Sequence, residues 1–168
     1  MSNWLDKIVP SVVRSKSDNR KASIPDGLWS RCAACSSILY QPEFERNLFV
    51  CPKCGHHGRL GARSRLTSFL DEGALTELFT ELEAEDRLKF RDQKKYKDRL
   101  SQAQRSTGEK DALIAMEGQL FEIPIVALAF EFQFMGGSMG RAVGGAIVKG
   151  VKKAIEEKIP FVILTSSG

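Results

Sequence analysis

The hydrophobic pattern divides the chain into three parts, residues 1–27, 28–58 and 59–168. The first part is polar and is predicted to be a leader and linker, because residues 14–23 are charged and rich in serine. The apolar residues of this leader are spaced for one short helical turn and are Trp4, Leu5, Ile8 and Val9.

Helical spacing dominates the start of the third part. Leu66, Phe69 and Leu70 lie three and four positions apart, which predicts a helix. The same spacing recurs over residues 75–82 and predicts a second helix. The polar residues and the glycine at 71–73 are expected to separate the two.

Strand-forming residues follow at 112–116 and 121–130. The pattern predicts a pair of strands, with a turn at residues 117–118, where a glycine follows a glutamate. The two strands form the first part of the predicted sheet.

A glycine loop at residues 136–140 precedes apolar residues at four-residue spacing over 141–157, which predicts a helix. The continuous apolar run at 161–164 then predicts a buried strand. Strand, loop, helix and strand in this order indicate a βαβ-type crossover, so the third part is predicted to be an α/β domain. The chain stops just after the last strand, where ligand sites of α/β folds tend to lie, and we expect it to be a fragment.

Four cysteines form two Cys-x-x-Cys pairs separated by fifteen residues, and they are Cys32, Cys35, Cys51 and Cys54. Two such turns can direct four thiolates at one tetrahedral Zn²⁺, and the interval suits a β-hairpin between them. Four buried thiols or a redox dithiol are the alternatives. Four protein ligands leave no open position, so the predicted zinc is structural. His56 and His57 are expected to lie outside the ligand set.

Composition and charge narrow the class of protein. The chain is 42% hydrophobic and 27% charged, as soluble globular domains are. The longest apolar runs are too short to cross a membrane and the N-terminus does not resemble a signal peptide, so we expect a cytoplasmic protein without membrane contact. Residues 1–65 hold eleven basic and five acidic residues, which favours polyanionic partners around the cysteines.

Seven segments resemble, in order, the carboxyltransferase β subunit of bacterial acetyl-CoA carboxylase. They are KASIPDGLW at 21–29, ERNL at 45–48, CPKCGHH at 51–57, LKFRD at 88–92, KKYKDRL at 94–100, TGEKDA at 107–112 and FEFQFMGGSMG at 130–140. The resemblance implies a crotonase-like (ClpP/crotonase) α/β domain, incomplete at its C-terminus and preceded by the zinc ribbon. It also implies transfer of a carboxyl group from carboxybiotin to acetyl-CoA, which gives malonyl-CoA for fatty-acid synthesis.

The resemblance further implies partners and a site between subunits. Proteins of this family pair with an α subunit, as an α2β2 heterotetramer, and work with biotin carboxylase and a biotin carboxyl carrier protein that supplies the biotin. The family's Ser-Gly-Gly segment is matched by Ser167 and Gly168 alone, so Gly168 is the candidate for the catalytic oxyanion region and this chain is expected to be inactive by itself.

The glycine loop is the candidate substrate-binding segment, with Gly136, Gly137, Ser138 and Gly140 beside the acyl-CoA. Close backbone packing of a strand–helix turn would explain the same glycines. Gly144, Gly145 and Gly150 fall inside the predicted helix, and close packing of that helix against the sheet or a partner is the preferred explanation.

Residues 87–110 carry nine basic and three acidic residues. Residues 94–106 are predicted to form a helix with a solvated basic face. The same face could hold the phosphates of CoA, and Lys94, Lys95 and Arg99 are the candidates for that role.

Two other functions compete with carboxyl transfer. Zinc ribbons often bind nucleic acid, and the basic residues of 1–65 predict salt-dependent binding if this ribbon does so. A scaffold whose ribbon covers an active site or contacts a partner subunit is the third alternative.

Overall fold

The computed structural model describes residues 27–73 and 75–168. The predicted leader helix and most of the linker, together with the resembling segment before Gly27, lie outside this range. The chain divides after His56 into two compact units, which are described separately below.

The first unit is the cysteine ribbon. It contains strands β1 (Trp29–Arg31) and β2 (Ile38–Tyr40), which pair antiparallel, and the short helix α1 (Gln41–Arg46). The predicted hairpin thus surrounds the first Cys-x-x-Cys pair. It does not lie between the two pairs as expected, since that interval is taken by β2 and α1. Pro42 stands in the first turn of α1, where its missing N–H costs no hydrogen bond.

The second unit is an α/β domain around a four-stranded sheet of order β3-β4-β5-β6. Along the chain it contains α2 (Ala62–Phe69), β3 (Thr76–Leu78), α3 (Tyr96–Thr107), β4 (Leu113–Leu120), β5 (Ile123–Phe130), a 3₁₀ turn (Met135–Gly137), α4 (Arg141–Glu157) and β6 (Phe161–Leu164). Strands β3, β4 and β5 are antiparallel neighbours, and β6 runs parallel to β5 after the α4 crossover. The predicted crossover is confirmed, with α4 and β6 at their predicted positions.

Strand β5 is buried on both faces of the sheet. Ile125, Ala127 and Ala129 pack with α2, whereas Val126 and Leu128 pack with Ala154 on the opposite side. Two apolar faces explain why this strand reads as a continuous hydrophobic run. The domain therefore has helix, sheet and helix layers, with its core on each side of β5.

The tight fit of α4 on the sheet explains one glycine within that helix. A Cβ on Gly150 would lie 3.0 Å from Cε2 of Phe161 and 3.3 Å from Cδ1 of Leu128. A Cβ on Gly145 would be in ordinary contact with Leu82, and one on Gly144 would meet nothing within 4 Å. Close packing thus accounts for Gly150, as the sequence suggested, and does not account for Gly144.

Two predicted elements are wrong. Residues 75–82 were expected to be helical, but Thr76–Leu78 forms β3 against β4, and Phe79 has a φ of 59° that ends it. Sheet pairing overrides the helical spacing there. The predicted turn at Glu117–Gly118 lies within β4, and the chain turns at residues 121–122 instead.

The turn between β4 and β5 is held by a side chain from another segment. Phe121 and Glu122 both have positive φ, 51° and 65°, as a two-residue hairpin turn of this hand requires. The Asp71 carboxylate accepts hydrogen bonds from both backbone N–H groups, at 3.1 and 2.8 Å. Its backbone N–H donates to Gln119 O at 2.8 Å. Asp71 thus compensates for a turn that lacks glycine and asparagine.

We expect Asp71→Ala to destabilise the α/β unit by about 1–2 kcal/mol, since two turn N–H groups lose a charged acceptor. Urea unfolding should show a lower midpoint with an unchanged slope. Glu72→Ala is the matched control, because Glu72 is exposed and has no hydrogen bond among the described residues. Equal midpoints for the two variants would contradict the role assigned to Asp71.

Candidate functional site

The two Cys-x-x-Cys turns of the ribbon have the same backbone hydrogen bonds. Cys32 N–H donates to Ser37 O at 3.0 Å, and Ser36 N–H donates to Cys32 O at 2.9 Å. At the second turn Cys51 N–H donates to His56 O at 2.8 Å, and Gly55 N–H donates to Cys51 O at 2.9 Å. The fourth position after the first cysteine has positive φ in both turns, 59° at Ser36 and 71° at Gly55. Two equivalent turns therefore present their sulfurs in equivalent ways.

These turns bring all four cysteine sulfurs within 4.8 Å of one another. Cys32 Sγ lies 3.7 Å from Cys54 Sγ, and Cys35 Sγ lies 3.8 Å from Cys51 Sγ. A tetrahedron with Zn–S bonds of about 2.3 Å has edges of about 3.8 Å. The donor chemistry and the spacing fit one tetrahedral Zn²⁺ with no ligand position left over.

The thiols of this cluster differ in how readily they ionise. The Ser37 hydroxyl, 3.2 Å from Cys35 Sγ, and the Ser37 backbone N–H lower the pKa of Cys35 to about 6. The backbone N–H of His56 lowers the pKa of Cys54, but the neighbouring thiols and burial outweigh it and raise that pKa to about 12. Four thiolates this close repel one another, so their joint ionisation calls for a cation between them.

The ribbon has little hydrophobic core of its own. Its buried apolar cluster consists of Cys32, Leu39 and Cys51, with Phe44 packed against it. Two of the four cysteines are thus part of the core as well as of the sulfur cluster. Such a module is stabilised chiefly by the metal that its cysteines bind. Among the described residues, neither His56 nor His57 joins the cluster.

In the α/β unit, the structure brings the glycine loop and the chain end together. Gly168 N–H donates to Gly136 O at 2.9 Å. A Cβ on Gly137 would lie 2.1 Å from Ser166 O, closer than any side chain could approach. Gly137 therefore allows the loop to pass against the segment that follows β6. Ser138 and Gly140 are exposed, and Gly140 immediately precedes α4.

A buried carboxylate that the sequence analysis did not single out anchors the segment between β5 and this loop. Glu131 is only 6% exposed and directly follows β5. One carboxylate oxygen accepts from Ala62 N–H at 2.8 Å, at the start of α2, and the other accepts from Gln133 N–H at 2.9 Å. Negative charge at a helix N-terminus is favourable. An acidic residue directly after a buried strand is visible in the sequence. Its hydrogen-bond partner Ala62, 69 residues earlier, is not.

One of the three basic residues proposed to hold phosphate already has an acidic partner. Arg99 forms an ion pair with Asp92, whose carboxylate also accepts from Lys94 N–H at 2.9 Å. The predicted helix at 94–106 is present as α3, from Tyr96 to Thr107. Lys94 and Lys95 precede α3 and are exposed.

The sulfur cluster and the sheet topology together define the class of this protein: a four-cysteine zinc ribbon followed by an α/β domain of the crotonase fold found in carboxyltransferases. The ribbon resembles one particular family more closely than the fold of the second unit does. Residues 29–54 match the family model of the acetyl-CoA carboxylase zinc finger domain.

Many solved structures share the fold, among them a transcarboxylase and an acyl-CoA carboxylase. A transcarboxylase 12S with bound methylmalonyl-coenzyme A and methylmalonic acid has a TM-score of 0.52 and 22% identity, over 66% of this chain and 19% of that chain. A single-chain, multi-domain long-chain acyl-CoA carboxylase has a TM-score of 0.52 and 17% identity, over 66% of this chain and 11% of that chain. This chain thus spans about a fifth or less of each of these two chains, and the likeness concerns the fold.

No described helix is long and apolar enough to span a lipid bilayer.

Proposed function

We propose that this chain is part of the carboxyltransferase β subunit of an acetyl-CoA carboxylase. The reaction moves a carboxyl group from carboxybiotin to acetyl-CoA and yields malonyl-CoA for fatty-acid synthesis. The match of residues 29–54 to the acetyl-CoA carboxylase zinc finger domain carries the proposal. The crotonase fold of the second unit supports it, because that fold is shared with the transcarboxylase and the acyl-CoA carboxylase described above.

The reaction needs groups that stabilise oxyanions. Removing a proton from the acetyl methyl group places negative charge on the thioester oxygen, and backbone N–H groups can stabilise it without side-chain obstruction. We assign acyl-CoA contact to the glycine loop at 136–140 and an oxyanion contact to Gly168. The hydrogen bond from Gly168 N–H to Gly136 O joins these two segments. To stabilise an oxyanion, the Gly168 N–H must release its bond to Gly136 O and donate to the substrate oxygen instead.

The zinc and the biotin have different roles in this proposal. Cys32, Cys35, Cys51 and Cys54 fill the coordination sphere of the zinc, so the metal stabilises the ribbon and offers no position to substrate. The biotin, bound to a carrier protein, supplies the activated carboxyl group. The proposed partners are a carboxyltransferase α subunit, in an α2β2 assembly, and biotin carboxylase, all in the cytoplasm.

Carboxyl transfer by the purified complex tests this proposal. The product of the gene that encodes this chain would be co-expressed with its α subunit and supplied with carboxybiotin and either acetyl-CoA or propionyl-CoA. We expect malonyl-CoA, detected by mass spectrometry, with acetyl-CoA preferred, and no product without the α subunit. Preference for propionyl-CoA would refute the acetyl-CoA assignment.

The nucleic-acid alternative is tested on the same sample. No observation in the structure or the comparisons favours it, and we expect weak binding to DNA at physiological salt. A complex without carboxyl transfer that binds DNA tightly, with affinity falling steeply as salt is added, would replace the carboxylase proposal.

A further inference from the structure

We infer that a cleft of the α/β unit, lined by Arg59 and Arg65, binds the phosphate groups of an acyl-CoA. The cleft has a volume of about 320 Å³ and is also lined by Phe132 and Ser166. This inference rests on the proposed function for the identity of the ligand. The phosphate site itself rests on the cleft and its charges.

The cleft lies where α/β folds bind ligands. Phe132 comes just after β5, and Ser166 comes just after β6. These two strands are parallel, so their carboxyl ends meet at one edge of the sheet. Ligands of open α/β sheets bind outside the carboxyl ends of the strands. The glycine loop meets the same edge, because Gly137 contacts Ser166.

The two arginines that line this cleft have charges available to a ligand. Arg59 and Arg65 are both exposed. Neither forms an ion pair with a carboxylate of the described residues. Four other arginines of the same unit are paired, namely Arg63 with Glu77 and Glu109, Arg87 and Arg141 with Glu85, and Arg99 with Asp92. Arg91 and Arg105 are also exposed without such a partner among the described residues, but they do not line the cleft. The guanidinium groups at the cleft thus keep their hydrogen-bond donors for an anion, and their planar donors suit phosphate.

Packing holds one of these guanidinium groups in place. The Arg59 guanidinium carbon lies 4.4 Å from the centroid of the Phe132 ring, within the range of a cation–π contact. Holding the side chain in one position before binding lowers the entropy lost when it contacts a ligand. Phe132 is therefore a positioning residue for Arg59.

The one acidic residue that lines the cleft does not cancel this charge. Glu131 directs its oxygens to the N–H groups of Ala62 and Gln133 and is 6% exposed. Its negative charge is stabilised by the α2 N-terminus and it forms no ion pair with either arginine. Two cations against one carboxylate leave the cleft net positive.

The volume of the cleft indicates which part of the acyl-CoA it holds. Ligand pockets run from about 300 to 1,000 Å³, and this cleft of about 320 Å³ lies at the lower end of that range, so we assign to it the phosphate-bearing end of the ligand. Lys94, Lys95 and Arg99 are the sequence-based candidates for the same phosphates, and the two sites are alternatives.

Binding of acetyl-CoA to the zinc-loaded chain, measured by titration calorimetry, tests the inference. Arg59→Gln and Arg65→Gln should each weaken binding about tenfold, since each removes one charge-assisted contact to phosphate. Arg105→Gln, which removes an exposed arginine of α3, is the matched control and should bind as the unsubstituted chain does. Phe132→Leu should weaken binding less than Arg59→Gln does.

Acetyl-CoA that lacks the 3′-phosphate shows which phosphate is bound. If the 3′-phosphate occupies the cleft, Arg59→Gln will weaken binding of this analogue no further. If the pyrophosphate does, the variant will weaken both ligands equally. Both results support the site. Loss of binding in Lys94→Gln or Lys95→Gln with unchanged binding in the arginine variants would overturn it, and so would an unsubstituted chain that does not bind acetyl-CoA.

The carboxyl-transfer assay separates this inference from the proposed function. Malonyl-CoA formation with an unchanged KM for acetyl-CoA in both arginine variants would overturn the phosphate site alone. Binding of acetyl-CoA that depends on Arg59 and Arg65, in a complex that makes no malonyl-CoA, would overturn the proposed function alone.

Discussion

A Cys51→Ser chain is expected to lose its zinc and the folded structure of its ribbon. Cys51 is 1% exposed, and its sulfur lies 3.8 Å from that of Cys35. The substitution removes a thiolate ligand and places a hydroxyl in a core made of few residues. Structural zinc contributes about 10–16 kcal/mol in small zinc modules, more than such a core can replace.

Zinc content and thermal unfolding measure this effect. Elemental analysis should find one zinc per unsubstituted chain and far less in Cys51→Ser, which should also lose the ribbon's unfolding transition. His57→Ala is the matched control, because His57 is near the cluster in sequence but is not part of it. A Cys51→Ser protein with stoichiometric zinc and an unchanged melting curve would disprove the structural role of the metal.

Gly137→Ala is expected to have the largest effect in the α/β unit. The new Cβ would lie 2.1 Å from the backbone oxygen of Ser166, and Gly137 has a φ of 72°. Positive φ costs a residue with a side chain about 1–2 kcal/mol, and the segment after β6 must also move. We expect a total loss of more than about 3 kcal/mol, which lowers the melting temperature by about 10 °C or more.

Gly136 and Gly144 provide matched controls. Gly136 has a φ of 70° but nothing within 4 Å of a new Cβ, so Gly136→Ala should lose only the cost of positive φ. Gly144 lies in α4 with open space around it, and Gly144→Ala should stabilise the helix by up to about 1 kcal/mol. Equal melting temperatures for Gly137→Ala and Gly136→Ala would show that the contact with Ser166 does not add to the loss of stability.

Features with a local cause were predictable from the sequence. The cysteine spacing alone indicated the metal cluster, because each Cys-x-x-Cys turn orients its own sulfurs through short-range hydrogen bonds. Helix α4 and strand β6 also fall where the apolar pattern places them. The apolar spacing of α4 has the period of a helix, and the continuous apolar run of β6 suits a strand with neighbours on both faces.

Features with a distant cause were not predictable. Gly118 was interpreted as a turn residue, but it lies in β4, where a Cβ would come within 2.8 Å of Cδ2 of Leu75. That glycine serves close packing, and only the folded structure shows its neighbour. The turn at Phe121 and Glu122 has no glycine signal and depends on Asp71, some fifty residues earlier.

The same limit applies to the candidate site. The glycines of residues 136–140 were visible in the sequence, whereas Glu131 and the cleft arginines were not distinguished from other charged residues. Their roles depend on which partners they find. Arg59 has an aromatic ring, Arg63 has two carboxylates, and nothing in the local sequence separates these outcomes.

The bond from Ala62 N–H to Glu131 has a consequence for the order of folding. It joins residues 69 positions apart, so a long loop must close before the carboxylate can reach the helix start. The entropy lost in that closure is recovered only once β5 has docked in the sheet. We therefore expect the first turn of α2 to gain its acceptor late, after the strands that lie farther along the chain have paired.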